Sequence, residues 1–122
     1  MFAFFRSFNY HSDLNIAFTL PEYRGKGVAN TFLRWGVSKA DELGLESWLE
    51  ASDFGAPVYP KWGFIVYGPN LVNPAMPTDY NEEQIQEWEH YKKLFLPMDA
   101  TIMWRPVGGK FVLGETVKPW ED

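Results

Sequence analysis

The chain contains 122 residues with a formal net charge of −5, and it has no cysteine. This length fits a single domain over residues 1–122, and the lack of cysteine excludes disulfides, a thiolate nucleophile and a cysteine-based metal site. The acidic balance argues against nucleic acid as a partner, and no apolar segment approaches the length of a signal peptide or a membrane span. We therefore expect a cytoplasmic protein that binds neither nucleic acid nor membrane.

The first half of the chain predicts a strand, a helix and a second strand. Leu14–Leu20 is apolar and partly β-branched, and we expect Pro21 to close it as a strand. Val28–Leu43 carries apolar residues at helical spacing and is followed by Gly44, a typical stop. Leu45–Ala51 then returns as a strand, so the three segments predict a right-handed β-α-β unit.

The second half predicts shorter elements. Prolines limit Asp53–Tyr59 to a short helix or turn, and Phe64–Tyr67 is predicted as a strand. Gly68–Tyr80 holds three prolines and two asparagines, which is typical of a loop. Asn81 and Gln84 have the spacing of a capping box at a helix start. The last predicted elements are the helix Glu82–Leu96 and the strands Thr101–Arg105 and Lys110–Leu113 around a glycine-rich turn.

The segment Pro21–Asn30 joins the first predicted strand to the first helix through a turn with two glycines. Gly25 and Gly27 have no Cβ, so the backbone there can take unusual angles and lie close to a bound group. The amides that follow open a helix, where unpaired N–H groups and the helix dipole favour an anion. The sequence therefore predicts a phosphate-binding turn.

Two motifs together resemble the GNAT family of acetyl-CoA-dependent N-acetyltransferases. Arg24, Gly27 and Ala29 fill the pattern [Q/R]-x-x-G-x-[G/A] within PEYRGKGVA, and Val58–Phe64 reads VYPKWGF, which matches [L/V]-Y-x-K-x-G-F. Their order and spacing match the family from Leu14 to about Tyr67. The resemblance implies an α/β (α+β) fold, in which helices flank a mixed sheet.

The resemblance also implies acetyl-CoA as co-substrate, with no metal. The strand residues Ala17, Phe18 and Thr19 match the strand that lies along the pantetheine arm. The residues matching the pyrophosphate turn and helix start are Arg24, Gly25, Lys26, Gly27, Val28, Ala29 and Asn30.

Two residues match catalytic positions of the family. Tyr59 matches the tyrosine that protonates the leaving CoA thiolate, a role suited to a phenol within hydrogen-bond reach. Glu50 is near the position of a frequent general base. A tyrosine that packs with a bonded hydroxyl and a glutamate that faces solvent are the structural alternatives for these two residues.

The front of the domain departs from the family pattern. Only thirteen residues precede Leu14–Leu20, whereas a full family domain carries a strand, two helices and two more strands there. Most of the acceptor side is therefore missing, and the edge of the first strand needs a cover. Met1–Asn9, as an extra strand or short helix, is one candidate, and a homodimer is another.

We therefore expect an N-terminally shortened acetyltransferase that moves an acetyl group to a small-molecule or peptide amine. One alternative is a non-catalytic remnant of the fold that works as a CoA-binding or protein-interaction module. Another alternative is a fragment of a longer enzyme.

Overall fold

Five strands form one mixed sheet in the computed structural model, which describes residues 2–8 and 11–121. The strands are β1 (Phe2–Phe8), β2 (His11–Phe18), β3 (Glu46–Ser52), β4 (Ile65–Val72) and β5 (Met98–Arg105). Their order across the sheet is β1-β2-β3-β5-β4. The neighbours β2 and β3 are parallel, and the other neighbouring strands are antiparallel.

The helix α1 (Val28–Glu42) connects the two parallel strands and packs on one face of the sheet. Leu33 and Val37 are buried on its inner side, where they join a core with Leu14, Leu49 and Met103 from three strands. This apolar face follows from the helical spacing in the sequence. The predicted succession of strand, helix and parallel strand is confirmed, with small shifts of the strand ends.

The N-terminal segment covers the free edge of β2. β1 pairs with β2 in antiparallel register from Phe2 opposite Phe18 to Phe8 opposite His11. Of the two alternatives predicted for Met1–Asn9, an extra strand or a short helix, the strand is the one that forms, over Phe2–Phe8, while Met1 and Asn9 lie outside the described residues. Because β1 pairs along this edge, a second copy of the chain is not needed to cover it.

Two predicted elements are wrong in the second half. β4 continues through Pro69 to Val72, so the loop predicted over Gly68–Tyr80 begins later. β4 is an edge strand of the sheet, and edge strands tolerate proline because the missing N–H can be one that faces away from the neighbour.

The predicted strand Lys110–Leu113 is absent from the described structure. Gly108 and Gly109 have φ values of +80° and +70°, and they turn the chain away from β5. The amide of Val112 donates to the Thr116 hydroxyl at 2.9 Å. The backbone of Val112 is therefore bonded within its own segment, and its carbonyl accepts the amides of Glu115 and Thr116.

The helix α2 (Glu82–Phe95) lies between β4 and β5 in sequence, and its predicted capping box is confirmed. The Gln84 amide donates to Asn81 Oδ1 and the Asn81 amide donates to Gln84 Oε1, both at 2.9 Å. In contrast to α1, α2 buries none of its residues. Its stability therefore depends on local bonds more than on packing.

The sheet face opposite α1 carries an aromatic cluster, formed by Trp48, Tyr67, Trp104 and Trp120. The ring centroids of neighbouring members are 4.9 to 6.4 Å apart. The Glu46 carboxylate accepts a hydrogen bond from the indole N–H of Trp48 at 3.3 Å and from that of Trp104 at 2.9 Å. One carboxylate thus fixes two rings of the cluster.

Candidate functional site

The strands β2 and β3 part at one end of the sheet. Their parallel register runs from His11 opposite Glu46 to Leu14 opposite Leu49, yet both strands continue beyond the last pair. Past that point β2 is paired with β1 on its other side. A wedge therefore opens between β2 and β3, where an extended ligand can take the place of a strand.

The predicted phosphate turn lies between β2 and α1. Gly25 and Gly27 have φ values of +74° and +75°, a left-handed backbone that favours glycine. Gly27 caps α1 without a side-chain bond, and the Thr31 amide donates to the Gly27 carbonyl at 3.0 Å. The amides of residues 28–30 precede this first helical bond and point out of the helix start. An anion site requires amides in this orientation.

A cavity of about 370 Å³ fills the wedge and joins three separate segments of the chain. It brings together six of the predicted site residues: Ala17, Phe18, Thr19, Arg24, Ala29 and Tyr59. Five predicted turn residues do not line it: Gly25, Lys26, Gly27, Val28 and Asn30. The cavity therefore runs from the end of β2 past the start of α1 to the segment that carries Tyr59.

The side chain of Arg24 holds the turn against the end of β2. Its Nε donates to the Thr19 carbonyl at 2.9 Å, and its guanidinium lies 5.6 Å from the centroid of the Phe18 ring. Lys26 lies beside it in the same turn, with its ammonium 5.6 Å from the Tyr23 ring centroid. Two cations are thus placed next to the helix start in a protein that is acidic as a whole.

Tyr59 lies between two single turns of 3₁₀ helix, Ala56–Val58 and Pro60–Trp62, in agreement with the short helix or turn predicted there. Its ring packs edge to face on Phe64 at 5.8 Å between centroids. Burial raises the pKa of the Tyr59 hydroxyl above its ordinary value. The phenol therefore stays protonated at neutral pH and can serve as a proton donor.

Glu50 lies on the other side of the sheet. Leu49 and Ala51 are buried toward α1, so the alternation of β3 turns the Glu50 side chain to the opposite face. Glu50 is exposed and accepts a hydrogen bond from the Asn70 amide at 3.3 Å. It does not line the cavity, and the structure does not bring its carboxylate and Tyr59 into one pocket.

Some lining residues were missed by sequence reasoning: Phe32, Leu33, Ser52, Phe54, Gly55 and Val58. The Ser52 hydroxyl accepts the Gly55 amide at 3.2 Å, which shapes the turn that closes the wedge. The stretch from Ala51 to Pro57, which holds Ser52, Phe54 and Gly55, differs from the family pattern, so no motif pointed to these three positions.

A chain of hydrogen bonds connects the Tyr59 segment to both ends of α1. The Trp62 indole N–H donates to Asn30 Oδ1 at 3.3 Å, near the start of the helix. Arg105 Nε donates to the Trp62 carbonyl at 2.7 Å, and the Arg105 guanidinium also binds Asp41 near the helix end. The segment is thus fixed relative to the predicted phosphate turn.

Within residues 2–8 and 11–121, no helix is long and apolar enough to cross a membrane. In the same part of the chain, no group of three potential metal ligands from His, Asp or Glu comes together.

Neither a protein-family model nor a curated protein sequence matches the chain. The structure is similar to the crystal structure of the ribosomal-protein-S18-alanine N-acetyltransferase from Escherichia coli, with a TM-score of 0.60 and 20% sequence identity. The similarity covers 95% of this chain and 64% of that enzyme, so the chain spans less than two thirds of its length. At this identity the likeness is one of fold. The chain thus has a GNAT-like mixed α+β fold, the fold of an N-acetyltransferase.

Proposed function

We propose that the chain binds acetyl-CoA in the wedge between β2 and β3 and transfers the acetyl group to an amine. One observation carries the proposal: a single cavity joins the end of β2, the residues Arg24 and Ala29 on either side of the glycine turn, and Tyr59. The end of β2 and the turn follow each other in the chain, whereas Tyr59 comes after α1 and β3, and the family resemblance assigns each of the three a separate part of the CoA site. The likeness in fold to an N-acetyltransferase supports the same reaction class.

The residues present fit the co-substrate in two respects. The backbone groups of Ala17–Thr19 that face the wedge, on the side away from β1, suit the amides of a pantetheine arm, which would bind as an added strand does. The open helix start beside Arg24 and Lys26 suits a pyrophosphate.

The reaction needs two proton transfers. Acetyl-CoA supplies a thioester, and transfer forms a bond from the amine nitrogen to the acetyl carbon while the carbon–sulfur bond breaks. A water held by Glu50, whose side chain is on the sheet face opposite the cavity, takes the proton that leaves the nitrogen, and Tyr59 gives a proton to the sulfur. Backbone N–H groups at Ala17–Thr19 orient the carbonyl oxygen. Exchange with solvent then restores both side chains.

A second candidate function is CoA binding without catalysis, as an interaction module. It is favoured by the position of Glu50 on the face opposite the cavity.

The first experiment measures CoA binding by thermal shift. Selective binding to the folded state raises the melting temperature of the wild type at millimolar CoA. Gly27→Asp adds a repelling charge at the helix start and abolishes the increase. Gly114→Asp is the matched control, since Gly114 also has a positive φ (+84°) and open space around it but lies away from the wedge. Either no increase for the wild type or equal increases for both variants contradicts the site.

The second experiment measures release of the CoA thiol from acetyl-CoA with a panel of small amines and peptide N-termini. Release above the buffer rate with any acceptor supports the transferase. A protein that binds CoA but releases no thiol with any acceptor is the binding module.

A further inference from the structure

Asn30 connects the start of α1 to the segment that carries Tyr59. It is the third residue of the helix, so its amide is one of the three that precede the first helical bond. Its side chain has a different partner, because Asn30 Oδ1 accepts the Trp62 indole N–H at 3.3 Å, and Asn30 does not line the cavity. The backbone of Asn30 thus belongs to the predicted anion site, whereas its side chain is bonded to Trp62.

Trp62 is bonded through both its main chain and its ring. Its amide donates to the Tyr59 carbonyl at 2.9 Å, within the 3₁₀ turn that follows Tyr59. Its carbonyl accepts Arg105 Nε at 2.7 Å, and the Arg105 side chain is buried. The main chain of Trp62 is therefore anchored to the core, while the polar edge of its ring is held by Asn30.

These bonds form a short path from the helix start to the proposed acid. An anion on the amides of residues 28–30 contacts the first turn of α1, and the Asn30 side chain leaves that same turn. Trp62 then continues the path to the backbone of Tyr59. The bond between Asn30 and Trp62 is partly buried, and hydrogen bonds are stronger where the local dielectric is low. A change at the helix start can therefore reach Tyr59 through two side-chain and main-chain bonds.

We propose that Asn30 and Trp62 are positioning residues, which place Tyr59 against the leaving sulfur when the phosphates of CoA occupy the helix start. The inference rests on the proposed acetyl transfer, with Tyr59 as the proton donor. It differs from the role that the family resemblance gives to Asn30, since the side chain acts on Tyr59 and not on the pyrophosphate. Proton transfer requires a donor within hydrogen-bond reach, so a small displacement of the phenol is enough to slow the reaction.

NMR of the indole N–H groups of the six tryptophans tests the connection without catalysis. Trp62→Phe removes the donor but keeps an aromatic ring, and it identifies the Trp62 signal. Trp62 does not line the cavity, so direct contact with CoA is not expected. We expect millimolar CoA to shift the Trp62 signal of the wild type and to leave the signal of Trp88, on α2, unchanged. In Asn30→Ala, CoA should still raise the melting temperature, but the Trp62 signal should no longer respond.

Kinetics separate positioning from phosphate binding. Asn30→Ala removes the acceptor and should lower kcat by roughly tenfold with little change in the KM for acetyl-CoA, because the group it positions acts only in the transition state. Asn30→Asp keeps an acceptor for the indole but adds a negative charge at the helix start, so it should raise KM and retain kcat. Asn73→Ala, at an exposed loop position, is the control.

The same substitution in the Tyr59→Phe background shows whether Asn30 acts through Tyr59. A residue that acts only through the phenol has no effect on the rate once the phenol is gone, so the double variant should match Tyr59→Phe. An equal loss of kcat in both backgrounds overturns the inference. A rise in KM alone for Asn30→Ala also overturns it, because the side chain then serves the pyrophosphate.

Failure of this inference is distinguishable from failure of the proposed function. A Trp62 signal that stays in place while CoA raises the melting temperature keeps the CoA site and rejects the positioning role. If the wild type binds CoA but releases no thiol, the transfer is rejected, and the NMR response alone decides whether the helix start is coupled to the Tyr59 segment. If CoA does not raise the melting temperature, both proposals are rejected.

Discussion

Arg105 and Asp41 form a two-point ion pair between the end of β5 and the end of α1. The guanidinium nitrogens donate to the two carboxylate oxygens at 2.7 and 2.9 Å. The Arg105 side chain is 5% exposed and that of Asp41 is 35% exposed. Asp41 Oδ1 also accepts the Gly108 amide at 2.9 Å, and Arg105 reaches the Trp62 carbonyl. This pair holds the segment that positions Tyr59.

We expect Asp41→Ala to lower the free energy of unfolding by about 3 kcal/mol. The substitution leaves a buried guanidinium without its counter-charge, and water can reach the partly exposed site, so the cost lies at the low end of the usual range for buried pairs. Urea denaturation measures the change. Asp79→Ala, at an exposed loop position, is the control, and equal losses for the two variants would show that the pair contributes little.

The same pair predicts a pH dependence of stability. The hydrogen bond from Arg105 is the main cause that lowers the pKa of Asp41. A carboxyl with a lowered pKa in the folded state contributes its full stability above the unfolded-state pKa, near 4, and loses it as the pH falls through the folded-state pKa. Below about pH 4, the free energy of unfolding should fall more steeply for the wild type than for Asp41→Ala. Parallel curves in urea titrations across this range would refute the assignment.

Tyr59→Phe should keep CoA binding and slow acetyl transfer by roughly two to four orders of magnitude, the usual scale for one positioned proton donor. The ring stays in place on Phe64, so the thermal shift with CoA is expected to match that of the wild type. Thiol release measures the rate, and Tyr91→Phe on the exposed side of α2 is the control. Turnover at the wild-type rate would remove Tyr59 as the acid while leaving the transferase intact.

We still expect a homodimer, but through the exposed side of α2 and not through the edge of β2. β1 covers the edge of β2, whereas α2 buries no residue and leaves Leu94 and Phe95 more than half exposed. Apolar side chains next to each other at a surface favour a second copy. Light scattering at micromolar concentration should report a dimer, and Phe95→Glu should report a monomer. A wild-type monomer would end this prediction.

Local signals were enough to predict both helices. The capping box of Asn81 and Gln84 involves neighbours in sequence, and the apolar spacing of Val28–Leu43 reports one buried face. The phosphate turn is local as well, since Gly27 and the amides after it form one contiguous segment. The sequence therefore identifies the residues of the turn and of the Tyr59 motif, but it does not give the distance between them in space.

Long-range pairings could not be predicted. The separation of β2 and β3 after Leu14 and Leu49 depends on two strands that have a helix between them in sequence. The ion pair of Arg105 and Asp41 joins two residues that are 64 positions apart in the chain. Glu50 faces away from the cavity because the side chains of β3 alternate, whereas Tyr59 comes from the 3₁₀ turns after that strand. A one-residue slip in the register of β3 would exchange the faces to which its side chains point.

The position of β5 between β3 and β4 has a consequence for the speed of folding. β3 and β4 are close in sequence but do not pair with each other. Each of them pairs with β5, so the sheet is complete only after β5 has inserted between them. Before β5 can pair with β4, the chain must close a connection that includes α2. Closing this connection costs conformational entropy, and α2 does not offset that cost because none of its residues is buried. Met103 and Trp104, both buried, come from this late strand. We therefore expect refolding on the slow side for a small mixed domain, with β5 as the element that makes the transition cooperative.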